Sequence, residues 1–403
     1  MTYKFFNNID PLEYDSFVKC HKYSNLLQSS SWRKVKSNWG HMLAGLKDEN
    51  DKLVAASLVL FRPLKFGWSV WYIPHGPILD YSDHEIVTTF FSALKKEANK
   101  SRCAFVKIDP PVFAHADLYV DYEDKVDQEA MEVKELLESL AFEHGGFTEK
   151  IHDTIQPRYQ AITFASEQAI EQRLSKRAKK EVRDAKRRMV EINRVGKEGL
   201  DDFYFLISKT EEAKDINLRN KEYFANIMDI YGDDCYVYIA SINLPEAIGK
   251  YEKMKANILK EIEVIGDSSP KKMHRLEEQL NSYNKHLDLF KGMQKEDGDK
   301  ALIAAGLTIL YGHSSDILYA GFNRDYRNIP GQDPVFLKSM QEAFSAGAKY
   351  FNMGGVENDL QDGLMAYKKN FDPHVVAYLG EFDLPVNNFL YKMYLLARKI
   401  FKG

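Results

Sequence analysis

The sequence predicts an α+β protein of two domains, with an antiparallel coiled-coil helical hairpin inserted into the second. Three observations carry this. A succession of β-hairpin, strand, helix and strand with a polar exit occurs once in each half of the chain. Two runs with apolar residues alternately three and four apart flank a tight turn, Gly266-Asp-Ser-Ser-Pro270. At 403 residues, the chain exceeds what one hydrophobic core usually serves.

Composition narrows the class. Hydrophobic residues at 44% and aromatics at 13% supply material for two packed cores. A net charge of −4 leaves no overall basic character, so any contact with nucleic acid must be local. Cys20, Cys103 and Cys235 are too dispersed for a metal cluster and read as reduced, buried thiols. The first ten residues do not form a signal peptide, and no apolar run reaches the ~18 residues of a membrane span. The expectation is a soluble, cytoplasmic protein.

Taken in order, residues 11–20 and 31–39 read as amphipathic helices, with Gln28-Ser-Ser-Ser31 as a capping stretch between them. Lys36 lies on the second, near Trp32 and Trp39. Leu43–Lys47 and Lys52–Leu64 form strands around the turn Asp48-Glu-Asn-Asp51. Next come a strand at Val70–Ile73, a loop at His75–Asp80, a helix at Asp83–Asn99 and a strand at Ala104–Ile108 that ends in Asp109-Pro-Pro111. In the second half Tyr236–Ile242, Ala301–Leu310 and Asp316–Gly321 are β-rich. A helix at Pro334–Ser345 and a strand at Lys349–Asn352 complete the repeat. Identity between the halves is negligible, so the repeat is one of pattern. By analogy, such a mixed sheet with a splayed strand pair matches the acyl-CoA N-acyltransferase fold, and fold alone does not fix chemistry. The domains are then 1–153, completed by a C-terminal helix within 380–403, and 154–379.

The inserted hairpin covers 245–295. Its seam is Ile248, Tyr251, Lys255, Ile258, Ile262 and Ile265 on one arm, and Met273, Leu276, Leu280, Tyr283, Leu287 and Phe290 on the other. Each arm is roughly 27 Å long at 1.5 Å per residue. Lys255 weakens one seam position.

Four stretches carry candidate chemistry, each with a plainer alternative. Gly354-Gly355 permits positive φ and a close backbone approach, and Glu357 and Asn358 follow at the strand's C-terminal end. The helical run after Gly363 places Leu364, Tyr367 and Phe371 on one face, and Lys368 beside them is set to reach back over the loop. A simple strand-loop-helix explains these residues as well. Arg173–Arg194 holds ten basic and three acidic residues, including Lys176, Arg177, Lys179, Lys180, Arg183 and Arg187. That stripe suits a phosphate backbone, without the aromatics that base stacking needs; the alternative is a solvated face. Arg219 and Tyr223 are four apart, on one face if helical, and Arg suits forked contacts to phosphate; surface ion pairing is the alternative. Asn388–Lys402 mixes Phe389, Leu390, Met393, Leu396, Ile400 and Phe401 with Lys392, Arg398, Lys399 and Lys402. Such a helix either lies on an anionic membrane surface or docks on the first domain. No Ser/His/Asp or Cys/His arrangement, Walker loop or metal-spaced cluster is legible, so no cofactor and no metal is expected. His75, His313 and His374 stand alone.

Together, several motifs resemble the Fem family of aminoacyl-tRNA-dependent peptidyltransferases along essentially the whole chain. They are Leu27-Gln-Ser-Ser30 with Trp32 and Lys36, Tyr72-Ile-Pro-His-Gly-Pro-Ile-Leu-Asp-Tyr81, Asp153-Thr-Ile-Gln-Pro-Arg158, Leu218-Arg-Asn220, Tyr319-Ala-Gly321 and Gly354-Gly-Val-Glu-Asn358 leading to Tyr367-Lys368. Ile155-Gln-Pro157, Gly354–Asn358 and Gly380-Glu-Phe382, with the hairpin, look most like the MurM and MurN branch. The resemblance implies two acyltransferase-like domains and a helical arm that helps engage tRNA, similar to the arm of seryl-tRNA synthetase. It implies transfer of an amino acid, alanine or serine, from aminoacyl-tRNA to the lysine side-chain amine of a peptidoglycan stem peptide. The acceptor is lipid II, which the terminal helix favours through peripheral contact with the cytoplasmic membrane face, or UDP-MurNAc-pentapeptide.

By the same resemblance Lys36, Arg219, Tyr223 and Tyr319 hold the muramyl-peptide precursor and its diphosphate. Lys368 matches a lysine near the tRNA end and the reacting ester, and Asp109 an acidic residue proposed as catalytic. One departure is His75, where the family usually has Arg. Two rivals are an acyl-CoA-dependent N-acyltransferase on the same fold, which would bind CoA and ignore tRNA, and a non-catalytic tRNA- or membrane-binding protein, which would make no product.

Overall fold

The computed structural model describes residues 2–118, 126–265 and 269–402, with side chains as far as 397. In chain order the strands are β1 (Lys4–Phe6), β2 (Gly40–Lys47), β3 (Leu53–Pro63), β4 (Ser69–Ile73), β5 (Ile78–Leu79), β6 (Cys103–Ile108), β7 (Phe113–His115), β8 (Glu143–His144), β9 (Tyr159–Phe164), β10 (Glu191–Val195), β11 (Cys235–Asn243), β12 (Lys300–Tyr311), β13 (Ser314–Phe322), β14 (Tyr350–Gly355), β15 (His374–Tyr378) and β16 (Phe382–Pro385). They make two sheets. The first runs β1-β2-β3-β4-β6-β16-β8, with β5 beside β3; the second runs β10-β11-β12-β13-β14-β9-β15-β7.

Each sheet is antiparallel except for one parallel pair, β4 with β6 and β13 with β14. A parallel pair needs a crossover, and in both sheets a helix supplies it. His84–Lys100 is capped by Asp83 and buries Ile86, Phe90, Leu94 and Ala98; Gln332–Ser345, which has no side-chain cap, crosses between β13 and β14 and buries Val335, Phe336, Met340 and Ala343. The repeated pattern in the sequence is therefore a repeat of hydrogen bonding, and the α+β expectation of two acyltransferase-like sheets holds.

Two strands sit far from their sequence neighbours. β16 lies beside β6 in the first sheet, and β7 pairs with β15 at the edge of the second. Lys107 of β6 fixes β16 by buried contacts of 2.8 Å to Glu381 and to Asp383. The two sheets also share a core, in which Leu43, Leu58 and Ile78 pack with Val237, Leu307 and Ile309. The helix Asn388–Lys402 follows β16 and lays Tyr391 and Tyr394 on Phe105 of the first sheet.

The helices Leu244–Ile265 and Pro270–Asp297 lie side by side, and every residue of both predicted apolar series is buried or half-buried. Tyr251 meets Tyr283, His286 and Phe290, and Leu244, Ala247, Phe290 and Met293 join the second sheet's core. The turn at 266–268, like the side chains of Arg398, Lys399, Ile400, Phe401 and Lys402, lies outside the described residues. Among the described residues no helix is long and apolar enough to cross a membrane.

Local expectations fail in three places. The helix expected over 31–39 is only Trp32–Val35, because Lys36 leaves helical geometry (φ −96°, ψ 41°) to feed Gly40 into β2. Cys20 is exposed, whereas Cys103 and Cys235 are buried. Leu364 points to solvent rather than joining Tyr367 and Phe371.

Candidate active site

β13 and β14 pair only from Ser314–Asp316 to Tyr350–Asn352. Beyond that the strands part, and a cavity of about 210 Å³ opens, bordered by Leu26, Leu318, Asp316, Asn352, Gly354 and Gly355. The glycine pair is what this geometry requires. Gly354 has φ +79°, and a Cβ on Gly355 would stand 2.6 Å from Cβ of Pro157.

Lys368 ends the short helix Gly363–Lys368, whose cap is Asp362 accepting from the Met365 N–H. Phe336 of the crossover helix stacks on Phe371 at 5.4 Å and meets Tyr367 edge-on, which holds the helix against the second core. From there the Lys368 Nζ reaches back and donates to the carbonyls of Gly354 (2.9 Å) and Gly355 (2.7 Å). Burial pushes its pKa down to about 8. It is a buried ammonium whose carbonyl partners border the cavity.

Lys36, Arg219, Tyr223 and Tyr319 come together. The Arg219 guanidinium lies 5.3 Å from the Tyr223 ring centroid, and the Tyr319 hydroxyl donates to that of Tyr223 at 3.3 Å. Burial and the nearby Arg219 both lower the Lys36 pKa. Among the described residues neither cation is in an ion pair, so the cluster carries positive charge that no carboxylate offsets. Tyr319 follows Leu318, which borders the cavity. Helical spacing is not the cause, since the helix Lys221–Tyr231 starts after the cap Asn220 and leaves Arg219 outside it.

The basic run forms the helix Lys176–Arg187. It buries Ala178 and Ala185 and exposes Lys176, Arg177, Lys180 and Arg183. Lys179 instead donates to the Gln172 carbonyl, and Arg187 pairs with Asp184 at 2.6 Å. Ser175, the helix cap, is bonded to Asn370 by both main chain and side chain, two residues past Lys368. A crevice of about 550 Å³ separates Arg187 and Arg188 from Lys250, Tyr283 and His286 of the hairpin.

Asp109 lies at the end of β6, behind His75 rather than in the cavity. Its carboxylate accepts from the His75 N–H (2.7 Å) and the Tyr72 hydroxyl (3.1 Å). Burial and the nearby Glu381 push its pKa well up. His75 stacks on Tyr378 at 4.7 Å, and burial takes it down to about 4, so it is neutral at pH 7. Glu357 accepts from the Ile151 N–H at 3.1 Å and serves the loop.

Sequence reasoning passed over three residues at the cavity: Asp316, Asn352 as a hydrogen-bonding group, and Gln160. The Asn352 amide donates to both Asp316 (3.0 Å) and Gln160 (2.7 Å). The available signal was weak, a single carboxylate inside an apolar strand.

Twinned mixed sheets, one with a parted parallel pair and a buried lysine at the gap, define an acyltransferase-like architecture. Family comparison carries this to a particular group. Residues 9–399 match the FemAB family. The chain is 26% identical to aminoacyltransferase FemA of Staphylococcus epidermidis over 98% of this chain and 100% of that one. It is 25% identical to FemA of Staphylococcus aureus over 98% of each. The crystal structure of FemX superposes with a TM-score of 0.80 at 26% identity, covering 98% of this chain and 99% of that one. The chain belongs to the FemAB family and is an aminoacyltransferase of peptidoglycan cross-bridge synthesis.

Proposed function

We propose that the protein moves alanine or serine from its tRNA ester to the side-chain amine of the stem-peptide lysine of lipid II. What supports this is the clustering of Lys36 with Arg219, Tyr223 and Tyr319, the last directly following Leu318, which borders the cavity whose glycine carbonyls hold Lys368. The diphosphate of the precursor occupies this cluster, and its peptide runs to the gap between β13 and β14. A cavity of about 210 Å³ suits a small aminoacyl group.

Aminolysis of an ester needs positioning and stabilisation of the developing oxyanion more than a strong base. Lys368 supplies the charge, turning a remaining N–H toward the ester oxygen. Asp109 contributes at one remove, by holding the His75 loop. The tRNA backbone lies along Lys176, Arg177, Lys180 and Arg183, continued by Lys179 and Arg187 toward the hairpin crevice. The tie between Ser175 and Asn370 connects that surface to Lys368.

Lipid II is favoured over UDP-MurNAc-pentapeptide by the terminal helix. Its inner face docks on the first sheet, while Phe389 (71%), Met393 (50%) and Leu396 (54%) stay exposed on its outer side, next to Lys392. Such a face suits peripheral contact with an anionic bilayer. Incubation with alanyl- or seryl-tRNA and each acceptor in turn, followed by mass measurement of the muropeptide, tests the reading. An added alanyl or seryl mass on the lipid-linked acceptor is expected. Product with CoA thioesters, or tRNA binding without product, would overturn it.

A further inference from the structure

Aminolysis leaves one question open at the atoms: where the proton of the attacking amine goes. Asp109 is screened from the cavity by His75. The acid that borders the cavity is Asp316, the last paired residue of β13 before the strands part. Its Oδ1 accepts from the Asn352 amide at 3.0 Å, whereas Oδ2 is shielded from solvent and has no hydrogen-bond partner. A buried carboxylate oxygen without a well-placed donor is costly.

The side chain is also held in place. The second N–H of the Asn352 amide goes to Gln160, its Oδ1 accepts from the Gly354 N–H at 2.8 Å, and Gln160 in turn meets His75 at 3.4 Å. Titratable groups face Asp316 from each neighbouring element: Tyr350 of β14, Tyr378 of β15, Tyr231 of the helix Lys221–Tyr231, and neutral His75 across the cavity. None brings a positive charge at neutral pH.

We propose that Asp316 is the catalytic base, taking the proton from the amine that attacks the ester. The inference rests on the transfer reading above. The neutral amine's lone pair forms the C–N bond at the ester carbonyl carbon, and the nitrogen, made acidic by that bond, passes one proton to the Asp316 carboxylate at the cavity wall. The ester C–O bond then breaks, and the same proton moves to the departing ribose oxygen, so Asp316 ends the cycle ionised. Burial, only partly offset by the Asn352 amide and the nearby Ser314 hydroxyl, brings its pKa to about 6, close to the operating range of a base.

The test is single-turnover transfer by Asp316→Asn against the intact protein, from pH 5 to 8, with precursor binding and thermal melting alongside. A rate loss on the order of 10²-fold at pH 7.5 is expected, shrinking toward pH 5 where the native acid is itself protonated. Precursor affinity should stay within about twofold. Lactyl-tRNA, made by deaminating alanyl-tRNA, separates this role from recognition of the aminoacyl group's own ammonium. An equal loss with both donors supports the base; a loss with alanyl-tRNA alone overturns it. Should Asp316→Asn melt early, Asp316→Ala with added formate takes its place, and rescue supports the assignment while its absence overturns it. Native turnover matched by the variant would sink this inference alone, whereas no tRNA-dependent product from the native protein would sink the transfer reading with it.

Discussion

The two sheets share strand directions and order, yet their parallel pairs end differently. In the first, β4 and β6 pair from Ser69–Ile73 to Cys103–Ile108, and the acid at the end, Asp109, has its carboxylate bound by the His75 N–H and the Tyr72 hydroxyl. In the second, pairing stops at Asp316 and Asn352, a cavity opens, and one carboxylate oxygen is left without a donor. The first pair ends with its acid bonded to the His75 loop; the second ends at an open cavity. One topology has supplied both a scaffold and a site. Substitutions of polar residues in the first sheet should therefore act on stability, and in the second on rate.

The largest expected effect tests the scaffold. Lys107→Met removes the cation between two buried carboxylates, Glu381 and Asp383, and should cost about 3–5 kcal/mol in denaturant unfolding. A loss below ~1 kcal/mol would show that the first sheet does not depend on its buried charges. On the other side, Lys368→Met should slow single-turnover transfer by roughly 10²–10³-fold, the range found for loss of one oxyanion donor, with melting unchanged or higher. Burial lowers the Lys368 pKa, so its charge is complete below pH 8 and is lost as pH rises through about 8. The ratio of native to variant rate should accordingly shrink above pH 8. Because the unfolded lysine still binds its proton up to its ordinary pKa, stability from this group should rise between pH 8 and about 10.4.

Much of the fold was legible in the sequence and less of the site, for reasons that differ by residue. The hairpin-strand-helix-strand repeat was readable because periodicity is local. The roles of Gly354 and Gly355 followed from steric facts that hold in any context, positive φ at one and the approach of Pro157 at the other. The places of β7 and β16 were not legible, since pairings across 265 residues (Phe113 with Tyr378) and 274 residues (Ile108 with Phe382) leave no periodic trace. Phe113 meets Tyr378 and Lys107 meets Asp383 only because the chain returns late to both sheets. Arg219 and Tyr223 meet for a reason their spacing does not show: only Tyr223 is on the helix, and Arg219 lies just before its cap, Asn220. Asp316 escaped because one acid in an apolar strand has the same pattern whether its carboxylate is satisfied or not.

A middle-sized effect sharpens the contrast within the second sheet's own neighbourhood. Arg219→Ala should raise the acceptor KM by about tenfold to a hundredfold and leave kcat nearly unchanged, because a charged hydrogen bond to phosphate contributes about 1.5–3 kcal/mol in ground and transition state alike. An equal fall in kcat would place Arg219 at the reacting atoms instead. Gly355→Ala should act through geometry: with Pro157 at 2.6 Å from the new Cβ, the strand must shift and carry the Lys368 carbonyl partners with it. A rate loss of about tenfold, with KM for the precursor held, is the expected reading.

The smallest effect is the most discriminating. Tyr72→Phe deletes one of the two donors to Asp109 and leaves the His75 N–H in place, at an expected cost of about 0.5–1.5 kcal/mol. Without that hydroxyl the buried carboxyl, already pushed up by desolvation and Glu381, should take its proton more readily still and remain bonded to the loop in neutral form. Transfer should then stay within about threefold of native, since the carboxylate charge is not asked to meet the amine. A fall as deep as that of Lys368→Met, measured at the same pH and saturating precursor, would mean that the closed pair takes part in the chemistry. The two sheets would then be partners in one site, and the scaffold would have to be sought elsewhere.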